Sequence, residues 1–124
     1  MIGYAGWRDY HPAAAPAAKR PHKYGAKAKV VDGIRFPSAR EARRWQELKM
    51  LQHVGRIRSL ERQVPIELHA AGGGRVGRYV ADFRYYDVER GRLIVEDAKG
   101  FKTALYTWKK RHVAAEHNIE IQEV

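Results

Sequence analysis

From residue 38 to 55 the chain reads SAREARRWQELKMLQHVG, and its apolar positions Ala42, Trp45, Leu48 and Leu51 recur every three residues. That spacing predicts one helix with a single apolar face. Ser38 is a good N-cap, Glu41 three residues later completes a capping box, and Gly55 is a suitable stop. Further on the period shortens: Leu60, Val64, Ile66 and Leu68 alternate imperfectly with polar residues, which predicts a strand, and Pro65 marks an edge or a bulge. AGGGRVG reads as a flexible turn, and RYVADFRYYDVERGRLIVEDAK as two strands around a turn near Val88 to Gly91. KTALYTWKKRHVAAEHN then predicts a second helix, with Leu105, Trp108, His112 and Ala115 on one face and Lys109, Lys110 and Arg111 near or around it. IEIQEV closes the chain as a short alternating strand. Upstream, AKVVDGIRF sets Asp32-Gly33 between apolar stretches, a strong local signal for a tight hairpin.

The order of elements predicts an α/β fold, an αβββαβ core whose mixed sheet is flanked by helices and preceded by a small β-ribbon. A strand, a helix and a strand in succession favour a right-handed crossover with the two strands parallel. Residues 1–22 combine Ala/Pro low complexity with Lys19 and Arg20 and read as an extended basic arm, leaving 23–124 as one folded domain. No internal repeat interrupts it.

Lys and Arg outnumber Asp and Glu by 24 to 14, a formal charge of +10 that favours a polyanionic partner, nucleic acid above all. There is no Cys, so disulfides, zinc ribbons and thiol nucleophiles are excluded. The histidines at 11, 22, 53, 69, 112 and 117 show no H-x-H or H-E-x-x-H spacing, and no His-based metal site is expected from them. No apolar run approaches the roughly 20 residues of a membrane span, and a secretory leader is not evident, so a soluble cytoplasmic protein without a membrane partner is expected.

The candidate chemistry lies in the second hairpin. Leu93, Ile94 and Val95 read as a buried strand that runs straight into Glu96, Asp97 and Lys99. Period-two geometry puts Leu93, Val95, Asp97 and Lys99 on one face, with Leu93 and Val95 as its core anchors, and Ile94, Glu96 and Ala98 on the other. A turn centred between Glu89 and Arg90 sets Asp82 directly opposite Asp97. Carboxylates so opposed, with Cβ atoms about 4.5–5.5 Å apart, repel unless a cation or a shared proton lies between them. Two readings fit. One is a divalent-metal site with Lys99 beside a scissile phosphate; the other is an exposed D-x-K pair in solvent, worth little. A one-residue shift of the turn moves Asp82 to the other face. Glu41 is likewise explained by its capping box without any chemistry.

The stretch YVADFRYYDVERGRLIVEDAKGFK resembles the catalytic hairpin of the PD-(D/E)XK nuclease superfamily, in which an acid on one strand is followed by D/E-x-K on the next. With YGAKAKVVDGIRFPSAREARRWQELKML and LERQVPIEL it resembles a small family of phage and prophage nucleases with that fold, from about Lys23 to Val124. The resemblance implies a restriction-endonuclease-like core, with Asp82 and Asp97 as acidic metal ligands, the Ala98 carbonyl as a further ligand and Lys99 as the catalytic lysine. Glu41 matches an acid that many members bring to the same centre from the first helix, and Gln63 matches a recurrent glutamine whose role is as much structural as chemical. Two departures stand out: Ala81 precedes Asp82 where the superfamily has Pro, and Glu96 beside Asp97 can exchange roles with it by a register shift.

A site of hard carboxylate oxygens favours Mg²⁺, with Mn²⁺ able to substitute. Arg40, Arg43, Arg44, Lys102, Lys109 and Lys110 are candidates for holding phosphates. The expectation is a metal-dependent DNA endonuclease of phage origin, acting in the cytoplasm of a bacterial host in DNA recombination and repair. Family and size point to a homodimeric Holliday junction resolvase that takes branched, four-way DNA. The alternatives are a general or flap-type nuclease, a nicking enzyme that needs a partner protein, and a non-catalytic nucleic-acid-binding module.

Overall fold

The structure, a computed structural model, describes residues 27–124, so the basic arm at 1–22 lies outside the described residues. β1 (Lys29–Val31) and β2 (Ile34–Phe36) form an antiparallel ribbon, joined by Asp32 and Gly33 with φ of 54° and 74°. Two successive positive φ values make the tight turn whose twist suits a hairpin, and the Asp-Gly pair tolerates them. α1 (Ala39–His53) starts at Ser38, whose hydroxyl accepts from the Glu41 amide at 3.2 Å. At its other end Gly55 takes φ +83°, and the amides of Gly55 and Arg56 donate to Gln52 and Leu51, which closes the last turn.

β3 (Ile57–His69), β4 (Arg75–Asp87), β5 (Arg92–Asp97) and β6 (Ile121–Glu123) make one sheet in the order β3-β4-β5-β6. The first two pairings are antiparallel and the last is parallel, across α2 (Ala104–His117). The fold is therefore mixed α/β, a four-stranded sheet with two helices and a separate β-ribbon, in the expected order. Pro65 lies in β3, an edge strand, where a sheet tolerates proline.

Two apolar clusters share the sheet. Phe36, Ala42, Trp45, Leu48, Ile57, Phe83, Tyr85 and Ile94 pack on the α1 side. Val64, Ile66, Leu68, Tyr79, Ala81, Val95, Tyr106, Val113 and Ile121 pack on the α2 side. A regular strand keeps alternate residues on one face, yet Tyr79 and Ala81 belong to the second cluster while Phe83 and Tyr85 belong to the first. β4 changes sides at Asp82. Across from that point β3 contains Gln63 at φ +54°, and no pair joins the two strands between Val64↔Ala81 and Arg62↔Phe83. A left-handed residue inside a strand breaks the alternation, and the break leaves Asp82 between the two cores.

Three apolar positions expected to pack are exposed. Leu93 is 62% accessible, because β5 is covered on both faces only from Ile94 onward. In α2 the buried positions are Tyr106 and Val113, while Leu105 and Trp108 are 61% and 50% accessible. The stripe of Leu105, Trp108, His112 and Ala115 is thus not the packed face. Tyr106 takes that place because its ring fills the core against Tyr79 while its hydroxyl donates to Glu123 at 2.9 Å.

Candidate active site

β4 and β5 pair with the register that a turn between Glu89 and Arg90 dictates: Asp87↔Arg92, Tyr85↔Ile94 and Phe83↔Glu96. One step further Asp82 meets the end of β5, where its Oδ2 accepts from the Ala98 amide at 2.8 Å. Asp97 is fully buried beside it. Its Oδ2 accepts from the Tyr79 hydroxyl, its Oδ1 has no hydrogen-bond partner, and Lys99 Nζ stands 3.5 Å from Oδ1. Glu41 reaches the same place from the first turn of α1; it is 3% accessible, and its Oε2 is also without a partner. Among the described residues no bond returns from the Glu41 carboxylate to the Ser38 amide, so only the Ser38 half of the capping box forms.

Burial and crowding shift the two strand carboxylates. Burial foremost pushes the Asp97 carboxyl up to about 7, and Asp82 adds to the rise against the pull of Tyr79 and Lys99. Burial also pushes Asp82 up to about 6; Asp97 and the Ala98 amide oppose the rise, and Glu41 adds to it. Asp82 and Asp97 behave as a pair that shares a proton in the absence of a cation. Burial, and then the bond to Asp97, raise the Tyr79 hydroxyl, which stays a proton donor. Lys99 Nζ lies 4.9 Å from the centroid of the Tyr106 ring, which supports the ammonium from one side.

The other expected residues separate into different roles. Glu96 is 1% accessible and sits on the α1 side of β5. Arg44 grips it through two bonds, Nε to Oε1 at 2.8 Å and Nη2 to Oε2 at 2.6 Å, and Tyr85 donates to it as well. Arg44, expected as a phosphate contact, is instead engaged by Glu96 and by Glu47 at 2.9 Å. A buried acid in the same strand draws a guanidinium more firmly than solvent does, and that pairing holds Arg44 charged. Lys102 and Lys110 both pair with Glu123, at 2.9 and 3.3 Å, and Lys109 donates to the Arg78 carbonyl at 2.9 Å. Arg40 approaches the Val124 carbonyl at 3.4 Å, and Arg43 is exposed without a hydrogen bond or ion pair among the described residues. Gln63 is exposed and forms the strand break opposite Asp82.

Sequence reasoning missed Tyr79, Tyr106 and Glu123. Tyr79 is visible only in hindsight, as an aromatic three positions before Asp82; Tyr106 and Glu123 come from elements whose approach the chain order does not announce.

The donor set fits a hard divalent ion. Glu41, Asp82 and Asp97 supply only carboxylate oxygens, two of them buried and unpartnered, and neither His nor Cys is among them. Among the described residues, no helix is long and apolar enough to cross a membrane. No curated protein and no solved structure matches the chain. A family profile matches residues 21–122, and the chain belongs to that family, described as protein of unknown function (DUF1064).

Proposed function

We propose that the protein is a metal-dependent DNA endonuclease of the PD-(D/E)XK kind, hydrolysing phosphodiester bonds at the cluster of Glu41, Asp82, Asp97 and Lys99. The observation that carries this reading is the pair of buried oxygens without a hydrogen bond, Glu41 Oε2 and Asp97 Oδ1, in a cluster of three carboxylates. A buried polar atom without a partner is rare in a folded protein and costly, and here a cation satisfies both. A bound Mg²⁺ supplies Lewis acidity to the phosphate and to the attacking water. Asp82 and Asp97 hold it across the two strands, the Ala98 peptide contributes its carbonyl, and Glu41 closes the site from α1. Tyr79 fixes the orientation of the Asp97 carboxylate, so that Oδ1 is the oxygen left for the ion. Lys99 orients the water or stabilises the charge that builds on the phosphate oxygens.

Branched DNA, a four-way junction cut by a homodimer, is the proposed substrate. Its support is the resemblance, the size of the domain and the excess of 24 basic over 14 acidic side chains. The test is a cleavage panel of junction, flap, plain duplex and single strand, with Mg²⁺ and with EDTA. Mg²⁺-dependent cutting that favours the junction supports the whole reading. Equal cutting of duplex and junction removes the resolvase assignment and leaves a general nuclease. Binding without cutting under any metal points to a non-catalytic module.

A further inference from the structure

The end of α2 far from Lys99 gathers three imidazoles around one carboxylate. His112 and His117 are separated by four residues in the helix, H-x₄-H, within the H-x₃₋₅-H range that zinc ligands on helices use. His69, the last residue of β3, supplies the third ring. His69 Nδ1 lies 2.6 Å from Glu116 Oε2, His112 Nε2 lies 3.2 Å from Oε1, and His117 Nε2 lies 3.6 Å from Oε2. One donor atom from each of His69, Glu116 and His117 falls within 4.8 Å of the others. Tetrahedral bonds of about 2.0–2.1 Å set donor atoms roughly 3.3 Å apart, so side-chain adjustments of about an ångström bring these groups into place.

We propose that His69, Glu116 and His117, with His112 as the fourth ligand, bind one divalent transition-metal ion of the zinc class. Imidazole and carboxylate donors select such an ion over Mg²⁺, which makes this site chemically distinct from the all-oxygen cluster. It is spatially distinct as well: eleven residues of helix from Tyr106, beside Lys99, to His117 span about 16 Å. His117 Nε2 is 2.6 Å from the Glu67 carbonyl and His112 Nε2 is 2.9 Å from the His69 carbonyl. These are the same nitrogens that face Glu116, so an ion takes each Nε2 in exchange for its carbonyl while Nδ1 carries the proton. Glu116 Oε1 also accepts the His69 amide at 2.7 Å, so the end of β3 and the last turn of α2 already meet through this carboxylate. The ion ties these two ends together, a structural role in a chain without a single Cys.

The experiment is titration of the metal-free full chain with Zn²⁺ by calorimetry and with Co²⁺ by visible absorption. It is done on the wild type, on His69→Ala/His117→Ala and on Asp82→Asn/Asp97→Asn. The expected result is one equivalent of Zn²⁺, an intense Co²⁺ spectrum of tetrahedral type, and a raised melting temperature in Zn²⁺. All three persist in the aspartate double variant, and affinity falls at least tenfold in the histidine one. Absence of a Zn²⁺ isotherm in the wild type, affinity unchanged in the histidine variant, or binding abolished in the aspartate variant each overturns the proposal. If the histidine double variant does not fold, Glu116→Gln takes its place, and the same loss is expected.

Discussion

Glu96 and Asp97 are neighbours in β5, both almost fully buried, and their surroundings are opposite. Glu96 is satisfied by the two bonds from Arg44 and the one from Tyr85. Asp97 has Tyr79 on one oxygen and no hydrogen bond on the other, only the Lys99 ammonium at 3.5 Å and Asp82 beside it. A buried charge with its own counter-charge is part of the scaffold, whereas one with an open oxygen and like charges around it is poised for something the chain does not contain. On the proposed function, the difference favours Asp97 over Glu96 as the acid of VEDAK that does the chemistry. Glu96 holds α1 against the sheet, and α1 carries Glu41; Asp97 faces the site.

The comparison breaks most visibly at Asp97. Replacing it by Asn keeps the acceptor for Tyr79 but removes a ligand charge, and we expect cleavage of a labelled junction in Mg²⁺ to fall on the order of 10³-fold, or ~4 kcal/mol. The far-UV circular dichroism should be unchanged. Wild-type rates in that variant would remove Asp97 from the mechanism.

The same crowding gives a pH signature in the metal-free protein. The folded-state values of Asp82 and Asp97, about 6 and about 7, lie above the ordinary 3.8. Below the unfolded value both states are protonated and the pair is neutral to stability. As pH rises past it, the unfolded chain releases its protons first, and the folded state becomes relatively less stable until the folded values are passed. In EDTA, urea unfolding should therefore show a loss on the order of 3 kcal/mol between pH 4 and pH 8, shared by the coupled pair. Asp97→Asn should flatten that slope and be the more stable protein at pH 8, and Mg²⁺ should restore the wild type there. A pH profile identical in wild type and variant would show that the two carboxylates do not repel.

Glu96→Ala tests the other side of the strand. It leaves Arg44 with Glu47 alone beside a half-buried void and should cost about 2–3 kcal/mol, at the lower end for a broken buried pair because Arg44 keeps Glu47 and some access to water. Activity should follow the fraction folded and recover when the protein is assayed well below its melting temperature. A rate defect that persists in fully folded protein would mean that Glu96 also touches the site.

How far the chain order foretold this depends on the range of each cause. The Asp32-Gly33 hairpin, the Ser38 cap and the Gly55 stop are local, and each forms where its residues say. The pairing of Asp82 with the end of β5 was also legible, because one short turn sets the register of a whole hairpin. The sidedness of the strands was not. The break at Gln63, which moves β4 from one core to the other, is a backbone choice that no residue pattern announces. The partners of Glu96 and His69 lie 52 and 47 residues away, so the ion-pair role of Arg44 and the histidine cluster appear only when the sheet is assembled. On α2 the apolar stripe points to the wrong face, because a tyrosine with a polar tip outranks Leu105 and Trp108 for the core.

The smallest test separates the two duties that Glu41 can have. The helix start depends on the Ser38 hydroxyl, which accepts from the Glu41 amide, and not on the Glu41 carboxylate. Ser38→Ala should therefore cost about 1 kcal/mol of stability and leave the Mg²⁺-dependent rate at its wild-type value when assayed in folded protein. Glu41→Gln keeps the backbone amide and removes a repelling charge, so stability should hold or rise slightly. Its effect belongs to the ion: more Mg²⁺ is needed to reach half-maximal cleavage. If instead Glu41→Gln lowers stability as much as Ser38→Ala and leaves the Mg²⁺ requirement unmoved, Glu41 is a capping residue. The metal site then rests on Asp82 and Asp97 alone.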